Sequence, residues 1–462
     1  MRKVNLQFFV SAALMLSAAS MIFLTSCGKD GIDGKDGANG ANGTNGTNGT
    51  NGDAVATCKL CHNPSKVDSM ATTFQFSKHE YGEAAFEEAG NTGCTPCHAQ
   101  EAFKYMCKNN VSAAFAKLGT DTTYTNLYST SASAAYGRIG CYTCHSSLHT
   151  TYGYSDMTSL TTTAPVAMTF FGGTKSINLT QDGGKSNLCV KCHQPRPFTK
   201  SNTGQDKNVL DYALLKSNPT DTFYSPYRAN SLNVLKPSYR THTHYGTVGA
   251  VYAGVGFAGI EYGTGYTNSP HTTLASCGDC HMAPMTGKAG SHSFVAKGNF
   301  NGCNVSGCHA TAPISATSTT KWTTPRAAVK LLLDQLAAKL RINGVDILNR
   351  NGNTNEAVGG VNLWAGLTTN NYDGYLNIYD PVTNPLMDTY NTTSFQFIGT
   401  PSASTWTAAQ IAKNAGLPKL ALTNAQMGAI INFQMCLREY SLGIHNTEYV
   451  KTLLTNTISI LP

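Results

Sequence analysis

The sequence predicts a mainly α-helical chain with extensive loops, little sheet and a helical cap at its C-terminal end. Three observations predict it. Twelve of the 15 cysteines stand in six tight pairs, each followed at once by histidine, which marks six short turns. The apolar share is 41% over 462 residues, thin for a chain long enough for two or three side-chain cores. Something other than side chains must therefore fill part of the interior. Apolar residues at helical spacing gather beyond Thr324. Charge is sparse too: 13% of residues are charged, the net charge is +7, and no run of Lys or Arg exceeds two. That excludes a nucleic-acid-binding patch.

Residues 1–27 read as an export segment. Arg2 and Lys3 precede an apolar stretch from Phe8 to Leu24, and Leu24-Thr25-Ser26-Cys27 follows. The stretch is at the short limit for a membrane span. The small residues before Cys27 resemble the lipobox of bacterial lipoproteins, which implies acylation of Cys27 and anchoring to a bilayer. Gly28, rather than Asp, implies by the same likeness the outer membrane. Residues 28–57 form a tether in which Gly recurs every third position from Gly28 to Gly52. The pattern is Gly-X-Y, but without the proline that collagen-like chains carry. A flexible polar spacer is the simpler reading; a triple helix would make the protein a trimer. Extended, the tether reaches roughly 80–90 Å.

Five CxxCH motifs follow: Cys58, Cys61 and His62; Cys94, Cys97 and His98; Cys141, Cys144 and His145; Cys189, Cys192 and His193; Cys277, Cys280 and His281. A sixth, Cys303, Cys308 and His309, has the longer spacing CNVSGCH. Two thiols add to the vinyl groups of one haem, and the adjacent imidazole reaches its iron from the same turn. Zinc sites pair CxxC units or add a distant His pair; they do not need His after every second Cys. The expectation is six covalently bound haem c groups. Gly307 eases the wider loop of the sixth motif, for which a Cys303–Cys308 disulfide is the other reading.

Seven histidines remain: His79, His149, His242, His244, His271, His292 and His445. Six irons need six distal ligands if all are six-coordinate. His79, His149, His271 and His292 read as ligands. His242 and His244 share the segment THTHY, so one of them ligates, with His244 preferred. His445 is either a ligand or a contact at a helix start that Asn446 caps. Met282, Met70 and Met106 lack the context of axial ligands, so bis-His ligation and low potentials follow. Cys107 and Cys436 form a disulfide or remain buried thiols.

The chain thus divides into 1–27, 28–57, a hexahaem domain at 58–315 and a C-terminal helical domain at 316–462. In the last, Val329, Leu332, Leu333, Leu336 and Leu340 recur at helical spacing behind Pro325. A polar loop at about 343–404 precedes a helix at about 405–414. A longer helix starts near Thr423, with Met427, Ile430, Ile431 and Gln434 on one side. Gly443 breaks it, and a last helix carries Tyr449, Val450, Leu453, Leu454 and Ile458. This region reads as a cap on the haem array or a dimer surface.

The segments THTHYGTVGAVYAG, YTNSPHT, CGDCHMAP and SHSF, up to His309, resemble the multihaem cytochromes related to pentahaem nitrite reductase and octahaem hydroxylamine oxidoreductase. LGIHNTEYVKTLLTNTI is similar to the terminal helices of that group. The resemblance implies that His271, His292 and one of His242 and His244 are distal ligands. It lacks the CxxCK site that nitrite reduction uses in such enzymes. The Gly/Asp/Asn leader resembles those of surface cytochromes of metal-reducing bacteria. The expected function is electron transfer through closely packed haems at the outer membrane or cell surface. Reduction or oxidation of nitrite, hydroxylamine or a related small substrate at one open haem is the alternative, and a subunit of a cytochrome filament or surface complex a third. Expected partners are redox cytochromes or an outer-membrane electron conduit, the lipid bilayer, an extracellular electron acceptor and a second copy of the chain; nucleic acid is not one. Haem propionates would turn the basic apoprotein near neutral or acidic.

Overall fold

The computed structural model describes residues 64–82, 88, 94–109, 138–145, 163–198, 209–224, 241–342, 345–350, 357–358, 361–362, 372–376, 389–391, 396–398 and 422–462. Cys27, the tether, Cys58, Cys61, His62, His149 and the helix expected at 405–414 lie outside them. The chain divides into two units, Met1–Asp53 and Ala54–Pro462, and every described residue belongs to the second.

The described residues are mainly helical, with little sheet. The helices are α1 (Pro64–Phe74), α2 (Lys78–Tyr81), α3 (Thr95–His98), α4 (Gln100–Asn109), α5 (Cys141–Cys144), α6 (Ser186–Cys192), α7 (Tyr212–Ser217), α8 (Val248–Ala253), α9 (His271–Leu274), α10 (Cys277–His281), α11 (Thr324–Lys339), α12 (Asn424–Arg438) and α13 (Thr447–Ile460). Strands occur as two-stranded antiparallel pairs, such as Val166–Ala167 with Ser176–Ile177. Inside the stretch expected to be a polar loop, Leu348–Arg350 pairs with Tyr372–Leu376. Leu348 and Leu376 are buried there, which accounts for the pairing. No helix among the described residues is long and apolar enough to cross a membrane.

The main core is built on α12. Its start follows from the sequence: the Thr423 hydroxyl accepts the Gln426 N–H, and the Gln426 side chain accepts the Thr423 N–H, a reciprocal cap. Every α12 residue except Gln426 is buried, as in a helix enclosed by protein on all sides. α11 and α13 pack on it and on each other. Val329, Leu333, Leu336 and Leu340 of the expected stripe are fully buried. The same core takes in Val166 to Tyr262, so it runs across position 315. α12 therefore lies inside the fold rather than presenting a face outward.

One expectation changes, and one open choice closes. Asn446 stands at the start of α13 but makes no side-chain cap. Its amide instead bridges to Ser269 N–H and to the Val251 carbonyl, and the Ser269 hydroxyl accepts the Glu448 N–H in its place. Cys107 and Cys436 are not joined by a disulfide. Cys436 is buried in the main core, whereas Cys107 packs with Phe103, Met106 and Leu188 beside Cys97, Cys144 and Cys192.

Candidate functional site

Each described Cys-Cys-His motif folds as one tight turn. The histidine N–H bonds the carbonyl of the first cysteine in three of them: His98 to Cys94 at 3.1 Å, and His145 to Cys141 and His193 to Cys189 at 2.9 Å. One helical turn thus presents both thiols and the imidazole to the same side. The longer motif ends in the same bond, His309 N–H to the Cys303 carbonyl at 3.0 Å. Its two extra residues are absorbed at Gly307, whose φ of 83° is left-handed.

The structure sets a second imidazole opposite every described motif histidine. Ring centroids are 6.2 Å apart for His98 and His244, 6.2 Å for His145 and His292, and 5.9 Å for His193 and His79. They are 6.1 Å apart for His281 and His445 and 6.3 Å for His309 and His271. Two imidazoles on one metal, each with a metal–nitrogen distance of about 2 Å, place their centroids roughly 6.3 Å apart. The pairs therefore fit one iron and one porphyrin plane each. Among the described residues no group of three or more His, Cys, Asp or Glu side chains could hold a metal ion.

The hydrogen bonds of the rings agree with the pairing. A neutral histidine that donates from Nδ1 keeps an open lone pair on Nε2 for a metal. His244 Nδ1 faces the Tyr245 carbonyl at 2.9 Å, His271 Nδ1 the Ile444 carbonyl at 3.0 Å and His281 Nδ1 the Phe294 carbonyl at 2.8 Å. His445 Nδ1 faces the Glu439 carboxylate at 2.5 Å. His242 is the reverse: its Nδ1 accepts the His244 N–H at 2.9 Å, which places the proton on Nε2. Burial disfavours the charged form of three of the rings. It lowers His79 to about 4 and His193 and His244 to about 3, helped by neighbouring charges such as Arg196 beside His244.

The C-terminal helices carry more of the site than a cap would. Gln434 of α12 accepts the Thr243 N–H and donates to the Thr241 carbonyl, fixing the segment that ends at His244. The Arg438 carbonyl accepts the Gly246 and Thr247 N–H groups just beyond it. The α12–α13 connection supplies both His445 and the carbonyl that orients His271. The sequence reading missed all of these supporting residues; the signal for Glu439 is the charged pair Arg438-Glu439 at the end of an apolar run, six residues before His445.

The attachment turns also meet. The thiol of Cys97 lies beside that of Cys192, Cys189 beside Cys277, and Cys280 beside Cys303. Cys144 lies close enough to Cys192 and Cys189 to affect both. The Cys277–Cys280 turn consequently stands between the Cys189–Cys192 and Cys303–Cys308 turns. Met282 is 42% exposed.

The family model for Cytochrome c552 matches residues 104–296. That stretch holds the motifs at Cys141, Cys189 and Cys277 and the histidines His149, His242, His244, His271 and His292. No curated protein and no solved structure matches the chain. The family match supports a multihaem c-type cytochrome with covalently bound haem, in which the haems serve electron transfer or nitrite reduction.

Proposed function

We propose that the protein is a six-haem electron carrier in which two histidines ligate every iron. Haem, when bound, supplies a one-electron ferric/ferrous couple. The carrying observation is that each described motif histidine has a second imidazole at ligand distance, which leaves those positions without room for a substrate. The chain's own part is to set the imidazoles in facing pairs, orient those whose Nδ1 it binds and keep neighbouring attachment turns in contact. His242, protonated on Nε2, is unsuited to ligation. On this reading His149 would be the second ligand of the iron held at His62. Cys27 acylation and the tether of 28–57 would carry the array at the outer-membrane surface, facing redox cytochromes or an extracellular acceptor.

The test is the electron paramagnetic resonance and optical spectrum of the ferric holoprotein, with haem counted by mass. Six haems, all low-spin and unchanged by nitrite or hydroxylamine, are expected. A high-spin signal from one haem would overturn the carrier and favour a reductase open at the first site. Ligand geometry gives a finer check. The rings of His281 and His445 are nearly parallel, at 9°, while those of His271 and His309 stand at 82°. The first pair should give a rhombic low-spin signal and the second a highly anisotropic one. For the anchor, loss of lipid labelling in a Cys27→Ser variant is expected, and protease resistance on intact cells would rule out surface display.

A further inference from the structure

Glu439 is a buried carboxylate that the electron-carrier reading does not by itself require. Its side chain is fully enclosed. Four donors converge on it. Oε1 accepts from Ser441 N–H at 3.0 Å and Gly443 N–H at 2.7 Å. Oε2 accepts from the Ser441 hydroxyl at 2.6 Å and His445 Nδ1 at 2.5 Å. With two backbone N–H groups, a hydroxyl and a ring N–H directed at its oxygens, the site is built for the carboxylate form, held on the outer nitrogen of one ring. Arg326 lies near enough to add a favourable positive charge. The other three resolved Nδ1 bonds, at His244, His271 and His281, run to neutral carbonyls.

The difference matters at the metal. A full negative charge on Nδ1–H draws its proton outward and makes Nε2 a stronger donor. Stronger donation favours ferric over ferrous iron and lowers the reduction potential. From this geometry we infer that Glu439, acting through His445, lowers the reduction potential of the haem attached at Cys277 and Cys280. The inference rests on the bis-His reading of His281 and His445. Glu439 is a positioning residue here: it touches the ligand and not the iron.

The place of that haem gives the device a consequence. Its attachment turn touches Cys189 on one side and Cys303 on the other. With haem bound, an electron passing between those neighbours by way of this turn would meet the lowered potential twice, on entry, which it would disfavour, and on departure, which it would favour.

The experiment is a spectroelectrochemical titration of the full holoprotein with Glu439→Gln, which keeps the shape and removes the charge. One haem should change its oxidised-to-reduced ratio at fixed potential at least tenfold toward reduction, equal to about 59 mV for one electron. The rhombic low-spin signal should shift, with the haem count unchanged. Glu439→Asp keeps a carboxylate and should recover most of the low potential, which a purely structural role would not do. Unchanged potentials in a fully loaded, low-spin Glu439→Gln protein overturn the inference and leave the electron carrier standing. A high-spin haem in the unmodified protein strikes at the carrier instead. If Glu439→Gln does not load haem, near-infrared magnetic circular dichroism of the unmodified protein decides. One charge-transfer band displaced toward imidazolate ligation supports the role, and uniform bis-imidazole bands overturn it.

Discussion

The helix α12 and the attachment turns are built on opposite principles. α12 runs from Asn424 to Arg438 with all but one residue buried, and its neighbours α11 and α13 fill the space around it with Leu333, Leu336, Leu453 and Leu454. The attachment helices α3, α5 and α10 are four or five residues long. Helices that short have no stability of their own. Their paired rings stand about 6 Å apart, the spacing of two imidazoles on one metal. One region owns its core; the other is shaped around a core it must be given. Removing the cofactor should therefore act on one and spare the other.

The largest expected effect comes from Cys277→Ser with Cys280→Ser, which deletes the central haem. Haem by mass should fall by one. Destabilisation should exceed the ~5 kcal/mol at which a single-site effect becomes exceptional, because the turns touching Cys277 and Cys280 lose their shared packing. Hydrogen exchange should rise over 186–198 and 277–309, and stay slow over 428–437 and 449–454. Uniform acceleration across both stretches would erase the distinction between the two regions.

Phe433→Ala probes the other side of the comparison. Phe433 is fully buried in α12, and losing such a ring costs about 3–5 kcal/mol. Thermal melting followed by far-ultraviolet circular dichroism should show that loss. The Soret band and the low-spin signals of the folded protein should not move. A changed ligand field would mean that the apolar core and the haem ligands are one cooperative structure.

The two regions also differ in how far their sequence could be read. The attachment motifs are local, since thiols and histidine must share one turn, so their spacing is diagnostic. The reciprocal cap at Thr423 and Gln426 and the stripe from Val329 to Leu340 are local too. The distal partners are not. His79 comes from α2 and meets His193 at the end of α6, and nothing near either residue names the other. His445 was balanced between ligand and helix start because its decisive contacts, His281 and Glu439, lie elsewhere or carry no motif. Asn446 looked like a cap because its residue type suits one; the loop around Ser269 offered its amide better partners. The pairs in 345–376 escaped because two- to five-residue strands carry too little alternation to register.

The smallest effect separates backbone fit from packing within the sixth attachment turn. Gly307 has φ of 83°, and a Cβ there would meet nothing within 4 Å. Gly302, one residue before the same motif, would drive a Cβ into the Asp279 carbonyl. Gly307→Ala should then cost only the left-handed strain of about 1–2 kcal/mol, with haem still attached at Cys303 and Cys308. Gly307→Asn should cost less, since asparagine tolerates that conformation. Gly302→Ala should cost more than either, because it displaces backbone that belongs to the neighbouring turn. Melting temperatures of the three holoproteins test the order. If Gly307→Ala equalled or exceeded Gly302→Ala, the longer spacing would be held by contacts rather than by the one left-handed residue that lets His309 reach back to the Cys303 carbonyl.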